Sequence, residues 1–169
     1  MTPAEALAAL RAAEALDGAP NLKQRRAMLL SLAREVKKRA QDIMAVLDAE
    51  YEGRAPIETL LADVLLVADA ALYVRRNLWL WMRPRRVSVP YPFWPARARE
   101  ECVPKGVIGI MAPWNYPVQL ALLPAIDAIA AGNRVCVKPS EALPRTAALI
   151  AEILRAALGD DIALCVQGG

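Results

Sequence analysis

The sequence predicts an α/β fold, and three observations carry that expectation. Through residues 2 to about 82, apolar residues recur at helical spacing. Four prolines, Pro84, Pro90, Pro92 and Pro95, then crowd a stretch that holds only short β-favouring pieces such as Arg86-Val87-Ser88-Val89. Beyond Pro104, short apolar runs alternate with helical stretches, the pattern of parallel strands joined by crossover helices. The chain is therefore expected to divide into an N-terminal helical region (1–82), a connector of edge strands (83–102) and an α/β part (103–169).

Each element has a local reason. Thr2-Pro3-Ala4-Glu5 combines an N-cap hydroxyl, a proline at the first helical position and a glutamate placed to close a capping box, and Gly18 stops that helix. Asn21 can cap a second helix, in which Leu22, Leu29, Leu32, Val36, Ile43 and Leu47 recur, with a break near Lys38. A turn at Glu52-Gly53-Arg54-Ala55-Pro56 leads into a third helix whose expected apolar face is Leu60, Leu61, Val64, Leu65, Ala68, Leu72 and Trp79. In the connector, proline removes a ladder donor, so edge strands or a protruding hairpin are expected. In the last region, strands are expected at 107–112, 134–138 and 162–166 and helices at 117–131 and 143–158. Strands apolar on both faces make this half of a doubly wound, Rossmann-like sheet. Three such strands leave an open edge and one poorly covered face, and Gln167-Gly168-Gly169 reads as a turn leaving a strand, so the chain is expected to be a truncated, amino-terminal part of a longer protein.

Composition narrows the chemistry. With 169 residues, 56% of them hydrophobic and 23% charged, the chain can bury one substantial core. Its apolar runs are broken well before bilayer-spanning length and its start lacks a secretory signal pattern, so a cytoplasmic protein without membrane attachment is expected. The three cysteines, Cys102, Cys136 and Cys165, are widely spaced and no histidine occurs, which argues against a disulfide framework or zinc site and excludes a Cys-His or Ser-His-Asp mechanism within these residues. Seven arginines and no acid lie between Arg75 and Arg99, interleaved with aromatics. Such a mixture can hold nucleic acid, but it also marks protein interfaces, and the latter is the expectation here.

Polar groups cluster at the ends of two apolar runs. After the first strand, Pro113 and Pro117 bracket a rigid turn that presents Trp114 and Asn115; an asparagine NH2 is a neutral donor suited to an oxygen that becomes negative during attack on a carbonyl. The spacing equally allows Asn115 to cap the helix that follows. After the second strand, Lys138 and Glu141 offer a cation and an acceptor that could hold a nucleotide ribose, or they could form a solvated strand end in which Ser140 or Glu141 begins the next helix.

Pro104-Lys105-Gly106-Val107, Ala112-Pro113-Trp114-Asn115-Tyr116-Pro117, Ala131-Gly132-Asn133 and Lys138-Pro139-Ser140-Glu141, in this order and spacing, resemble the amino-terminal half of the coenzyme domain of the aldehyde dehydrogenase superfamily. The helical first region, Trp79-Leu80-Trp81-Met82-Arg83-Pro84 and the pair Asn133-Arg134 resemble its coniferyl-aldehyde-dehydrogenase-like branch. The resemblance implies an incomplete NAD(P)-binding domain in region 103–169 and an oligomer-facing connector. It implies an aldehyde substrate, an aromatic one if the branch holds, and NAD as cofactor, with NADP as the alternative. It further implies a homo-oligomer, dimer or tetramer, with no nucleic-acid partner.

The same resemblance assigns Asn115 to the oxyanion hole, and Lys138, Ser140 and Glu141 to the turn that contacts the adenosine ribose. It puts Pro113 and Trp114 beside the cofactor, Tyr116 on the substrate passage and Gly168-Gly169 near the adenine. A carboxylate at Glu141 would repel a 2′-phosphate, which favours NAD. The superfamily's nucleophilic cysteine and general-base glutamate have no match in these residues, and Cys102, Cys136 and Cys165 are expected to be buried or structural. These residues alone are therefore expected to be inactive. An interaction module is the rival expectation; another dinucleotide enzyme is weakened because no Gly-x-Gly-x-x-Gly follows the first strand.

Overall fold

The computed structural model describes residues 1–168. Local capping chemistry sets the first helices. In α1 (Pro3–Asp17) the Thr2 hydroxyl accepts from the Glu5 amide at 3.2 Å and the Glu5 carboxylate accepts from the Thr2 amide at 2.7 Å. Asn21 and Gln24 repeat this exchange at 3.0 and 2.8 Å to open α2 (Leu22–Lys38), which breaks at Arg39 before α3 (Ala40–Glu50).

The third expected helix is compound. It starts as α4 (Pro56–Thr59), widens into a π-helical stretch (Leu60–Leu65) and continues as α5 (Leu66–Trp81). Its buried side is Thr59, Asp63, Val64, Val67, Ala68, Ala71, Val74 and Leu78, whereas Leu61, Leu65 and Trp79 are exposed. Of the expected face, Val64 and Ala68 are buried and Leu60 and Leu72 pack partly buried against the core, so the expected face was too wide; the buried side keeps ordinary helical spacing.

The connector forms the protruding hairpin that its prolines predict. β1 (Arg85–Val87) pairs antiparallel with β2 (Ala98–Glu100), and every residue of both strands is exposed.

β3 (Val107–Met111), β4 (Arg134–Lys138) and β5 (Ala163–Cys165) form a parallel sheet in that order, linked by α6 (Pro117–Ala130) and α7 (Pro144–Leu158). The alternation of the strands sends Ile110, Val135, Val137 and Ala163 into one core with both crossover helices, α2, α3 and α5. The helical region and the sheet therefore share a continuous core. The other face was expected to be poorly covered, but α1 lies against part of it: Ala6 and Leu10 pack with Leu164 and Val166, while Gly109 and Met111 stay exposed.

Two buried arginines hold this arrangement. Arg134 donates to the Ala13, Gly18 and Asp161 carbonyls at 2.9, 3.0 and 2.9 Å, tying β4 to the end of α1. Arg25 donates to the Pro20 carbonyl at 2.6 Å and the Ala130 carbonyl at 3.1 Å, tying α2 to the end of α6. The guanidinium of Arg25 lies against Gly132, whose φ is 91° and where a Cβ would clash with it. Asn133 completes the turn by accepting from the Lys105 and Gly106 amides at 2.6 and 2.9 Å, which fixes the entry to β3.

The cysteines correct one expectation. Cys136 and Cys165 are half-buried, and burial pushes both thiols up, Cys165 to about 12. Cys102 is exposed, because it lies on the extended segment between the hairpin and β3, outside the sheet.

Gly132→Ala adds left-handed strain to a clash with a buried guanidinium, and should destabilise the fold by about 3 kcal/mol in urea denaturation. For the thiols, a disulfide reagent at pH 7.5 should label Cys102 within minutes and the other two only on unfolding; equal labelling rates would show that the sheet face does not protect them.

Candidate functional site

The site is built where β3 and β4 end. Ala112 follows β3 and its amide donates to the Lys138 carbonyl at 3.0 Å, which keeps the two strand ends side by side. The chain then turns through Pro113, Trp114 and Asn115, all exposed, into Tyr116 and the first turn of α6.

Asn115 does not cap α6. Tyr116 occupies the N-cap position and supplies no side-chain hydrogen bond. Instead the carboxylate of Asp63, on the π-helical stretch, accepts from the Gln119 amide at 2.9 Å. The capping role left open by the sequence is thus filled from the helical region, and the Asn115 amide has no intramolecular hydrogen-bond partner among the described residues.

Asp63 is fully buried, and burial pushes its carboxyl above its ordinary value, against the opposing pull of the Gln119 amide and the Arg54 guanidinium. The folded chain thus holds that proton more tightly than the unfolded one, so the contribution of Asp63 to stability declines as pH rises through this range. Its second oxygen accepts from Arg54 Nη2 at 3.0 Å. Arg54 also donates from Nη1 to the Asn115 carbonyl at 3.3 Å, and its guanidinium lies between the rings of Tyr51, at 5.1 Å, and Tyr116, at 4.8 Å. The Tyr51 hydroxyl donates to the Trp114 carbonyl.

At the end of β4, Lys138 Nζ meets a Glu141 oxygen at 2.6 Å. The lysine hydrogen bond is the main cause that holds the Glu141 carboxyl below its ordinary value, so it is an ionised acceptor at neutral pH. Neither Ser140 nor Glu141 begins α7. The Ser140 hydroxyl accepts from the Ala142 amide at 3.3 Å within the turn, and Glu50 of α3 caps the helix by accepting from the Arg145 and Thr146 amides at 2.7 and 2.9 Å.

The structure thus brings Lys138 and Glu141 into contact and sets the turn from Pro113 to Tyr116 on the adjoining strand end. Gly168 is exposed with a φ of 113°, and the adenine expectation for Gly169 lies outside the described residues. Among the described residues no group of three potential metal ligands converges, and no helix is long and apolar enough to cross a membrane. Sequence reading missed Tyr51, Arg54, Asp63 and Glu50. The one available signal was an acid, Asp63, inside the apolar run Leu60-Leu61-Ala62-Asp63-Val64-Leu65.

Known proteins match this arrangement along the whole chain. The aldehyde dehydrogenase family profile covers residues 1–169. A probable coniferyl aldehyde dehydrogenase of Pseudomonas aeruginosa is 36% identical over 158 residues, covering 94% of this chain and 33% of that protein. A coniferyl aldehyde dehydrogenase of a Pseudomonas species is 34% identical over 149 residues, covering 88% of this chain and 31% of that protein. The substrate-bound structure of Staphylococcus aureus AldH superposes with a TM-score of 0.93 at 26% identity, covering all of this chain and 37% of its own. The chain spans about a third of the length of the relatives it matches. On the match of profile, sequence and fold together, the chain belongs to the aldehyde dehydrogenase family.

Proposed function

We propose that these residues form the amino-terminal portion of an NAD(P)-dependent enzyme that oxidises an aldehyde to a carboxylic acid. An aromatic, coniferyl-like aldehyde is the substrate class that its relatives' names favour. The observation that carries this reading is the division of labour at the first strand end: a buried carboxylate caps α6, so the exposed Asn115 amide is left without an internal partner among the described residues, beside the strand that ends in Lys138.

In this reading the Asn115 NH2 donates to the aldehyde oxygen as a thiol adds to the carbonyl and charge develops, and Tyr116 lines the passage by which the aldehyde arrives. The Lys138 ammonium and Glu141 carboxylate, 2.6 Å apart, offer a donor and an ionised acceptor to vicinal sugar hydroxyls. Ser140 shapes their turn, while Pro113 and Trp114 flank the cofactor. The bound dinucleotide would supply hydride acceptance, and Glu141 favours NAD because it repels a 2′-phosphate. Region 103–169 is the partial cofactor domain, region 1–82 its helical support and region 83–102 the surface for a second subunit, in a cytoplasmic homo-oligomer.

Titration of Trp114 fluorescence with NAD tests the ribose site. Quenching should saturate, Glu141→Ala should weaken binding about tenfold through loss of one charge-assisted bond, and Glu141→Gln should narrow the preference for NAD over NADP. Because the Glu141 carboxyl is held below its ordinary value, binding should be flat above about pH 5 and fall only as acid protonates the group. A flat titration, or a Glu141→Ala variant that binds like the parent, would remove the assignment.

The 169-residue chain alone should form no aldehyde-dependent NADH: the Cys136 and Cys165 thiols are held protonated by burial, and Cys102 lies on the segment that enters β3, at the opposite strand end from Asn115. Sustained turnover, abolished by Asn115→Ala, would show instead that one of these thiols is a competent nucleophile.

A further inference from the structure

We infer that Tyr51, Arg54 and Asp63 are positioning residues for Asn115, fixing the backbone of its turn from the helical region so that its side-chain amide stays free; this rests on the proposed role of Asn115 as the oxyanion donor. Three contacts from one short stretch converge on the turn. The Tyr51 hydroxyl reaches the Trp114 carbonyl, Arg54 Nη1 reaches the Asn115 carbonyl at 3.3 Å, and Asp63 takes the Gln119 amide at 2.9 Å. The carbonyls of the peptides before and after the Asn115 Cα are thereby held, and so is the first turn of the helix that follows.

The geometry of Arg54 is that of an orienting group rather than a solvated charge. Its side chain is 5% exposed, it shares Asp63 with the α6 amide, and the two flanking tyrosine rings leave its plane little freedom. A planar fork between two rings can direct one nitrogen at the carboxylate and the other at a carbonyl, which a lysine cannot do. A buried ion pair is weak evidence for stability, since apolar groups of similar volume often serve as well. What an apolar pair could not supply is a donor for the Asn115 carbonyl and an acceptor for the Gln119 amide.

The consequence lies at the side chain. An oxyanion donor works when it is preorganised and not already spent on an internal bond. Asn115 meets both conditions: its own carbonyl is anchored, and the N-cap role that would consume its amide is taken by Asp63.

The test uses the full 169-residue chain and its Tyr51→Phe, Arg54→Lys and Asn115→Ala variants, followed by amide hydrogen exchange, NMR and urea denaturation. Tyr51→Phe removes only a hydroxyl and Arg54→Lys keeps the charge beside Asp63, so both should keep the parent's denaturation midpoint and α7 exchange. In both, the amides of Gln119 and Leu120 should exchange about tenfold faster, and the Trp114 and Asn115 backbone resonances should broaden or split. Asn115→Ala, which keeps the anchored carbonyl, should exchange like the parent. Loosening that is uniform across α7 and the turn would make these residues merely structural and overturn the inference. Unchanged exchange at the turn in Tyr51→Phe would overturn it equally. Selective loosening together with aldehyde-dependent turnover that Asn115→Ala leaves unchanged would retain the clamp and discard the catalytic reading of Asn115, so the two can fail separately.

Discussion

The carboxylate of Asp63 is the point on which the two halves of the chain depend. α6 is buried along most of its length, through Val118, Ala121, Leu122, Ala125, Ile126 and Ile129, and it lies between the sheet and the helical region. Its first-turn amides need an acceptor in that setting, and Tyr116 at the N-cap supplies none from its side chain. A carboxylate is a strong acceptor at a helix N-terminus and is favoured there by the helix dipole. By supplying it from 56 residues upstream, the helical region sets where α6 begins and therefore where the turn after β3 must run.

That arrangement needs an acid in the middle of an apolar helix, on its buried side. Thr59, Asp63 and Val64 continue, at ordinary helical spacing, the buried line of Val67, Ala68, Ala71, Val74 and Leu78. Asp63 so placed would be a buried charge without a cation if Arg54 were absent; Arg54 in turn meets Asp63 at 3.0 Å, the half-exposed Glu58 at 3.4 Å and the Asn115 carbonyl at 3.3 Å, while its buried Nε has no partner among the described residues.

This explains which features the sequence made legible. Capping boxes at Thr2 and Asn21, the stop at Gly18, the proline-rich hairpin and the three parallel strands are set by residues within a few positions of one another, and each appears where local chemistry put it. The exposure of Leu61, Leu65 and Trp79 was not legible, since large apolar residues occur on both the buried and the exposed side of this helix. The distant caps were not legible either. Asp63 on α6 and Glu50 on α7 replace the local caps that Asn115, Ser140 and Glu141 could have provided, and nothing within a window of ten residues distinguishes the two solutions. For the candidate site, the residues at the strand ends were proposed from spacing and resemblance, whereas the residues that contact the Asn115 turn and the start of α6 could not be, because they act across 56 to 63 residues of chain.

The contrast between the two ion pairs follows from the same geometry. Arg54 and Asp63 are buried, and beyond each other they reach the Asn115 carbonyl, the Glu58 carboxylate and the Gln119 amide, so removing Arg54 would strand the Asp63 charge in the core. Lys138 and Glu141 meet at 2.6 Å on side chains that are 32% and 61% exposed, where water can replace either partner. An exposed pair contributes little to stability, so substituting hydroxyl groups for one of its contacts sacrifices little. A buried pair is suited to holding a backbone still, and an exposed one to exchanging partners. The turn that carries Asn115 is tied to the first kind, and the strand end proposed to receive a sugar carries the second.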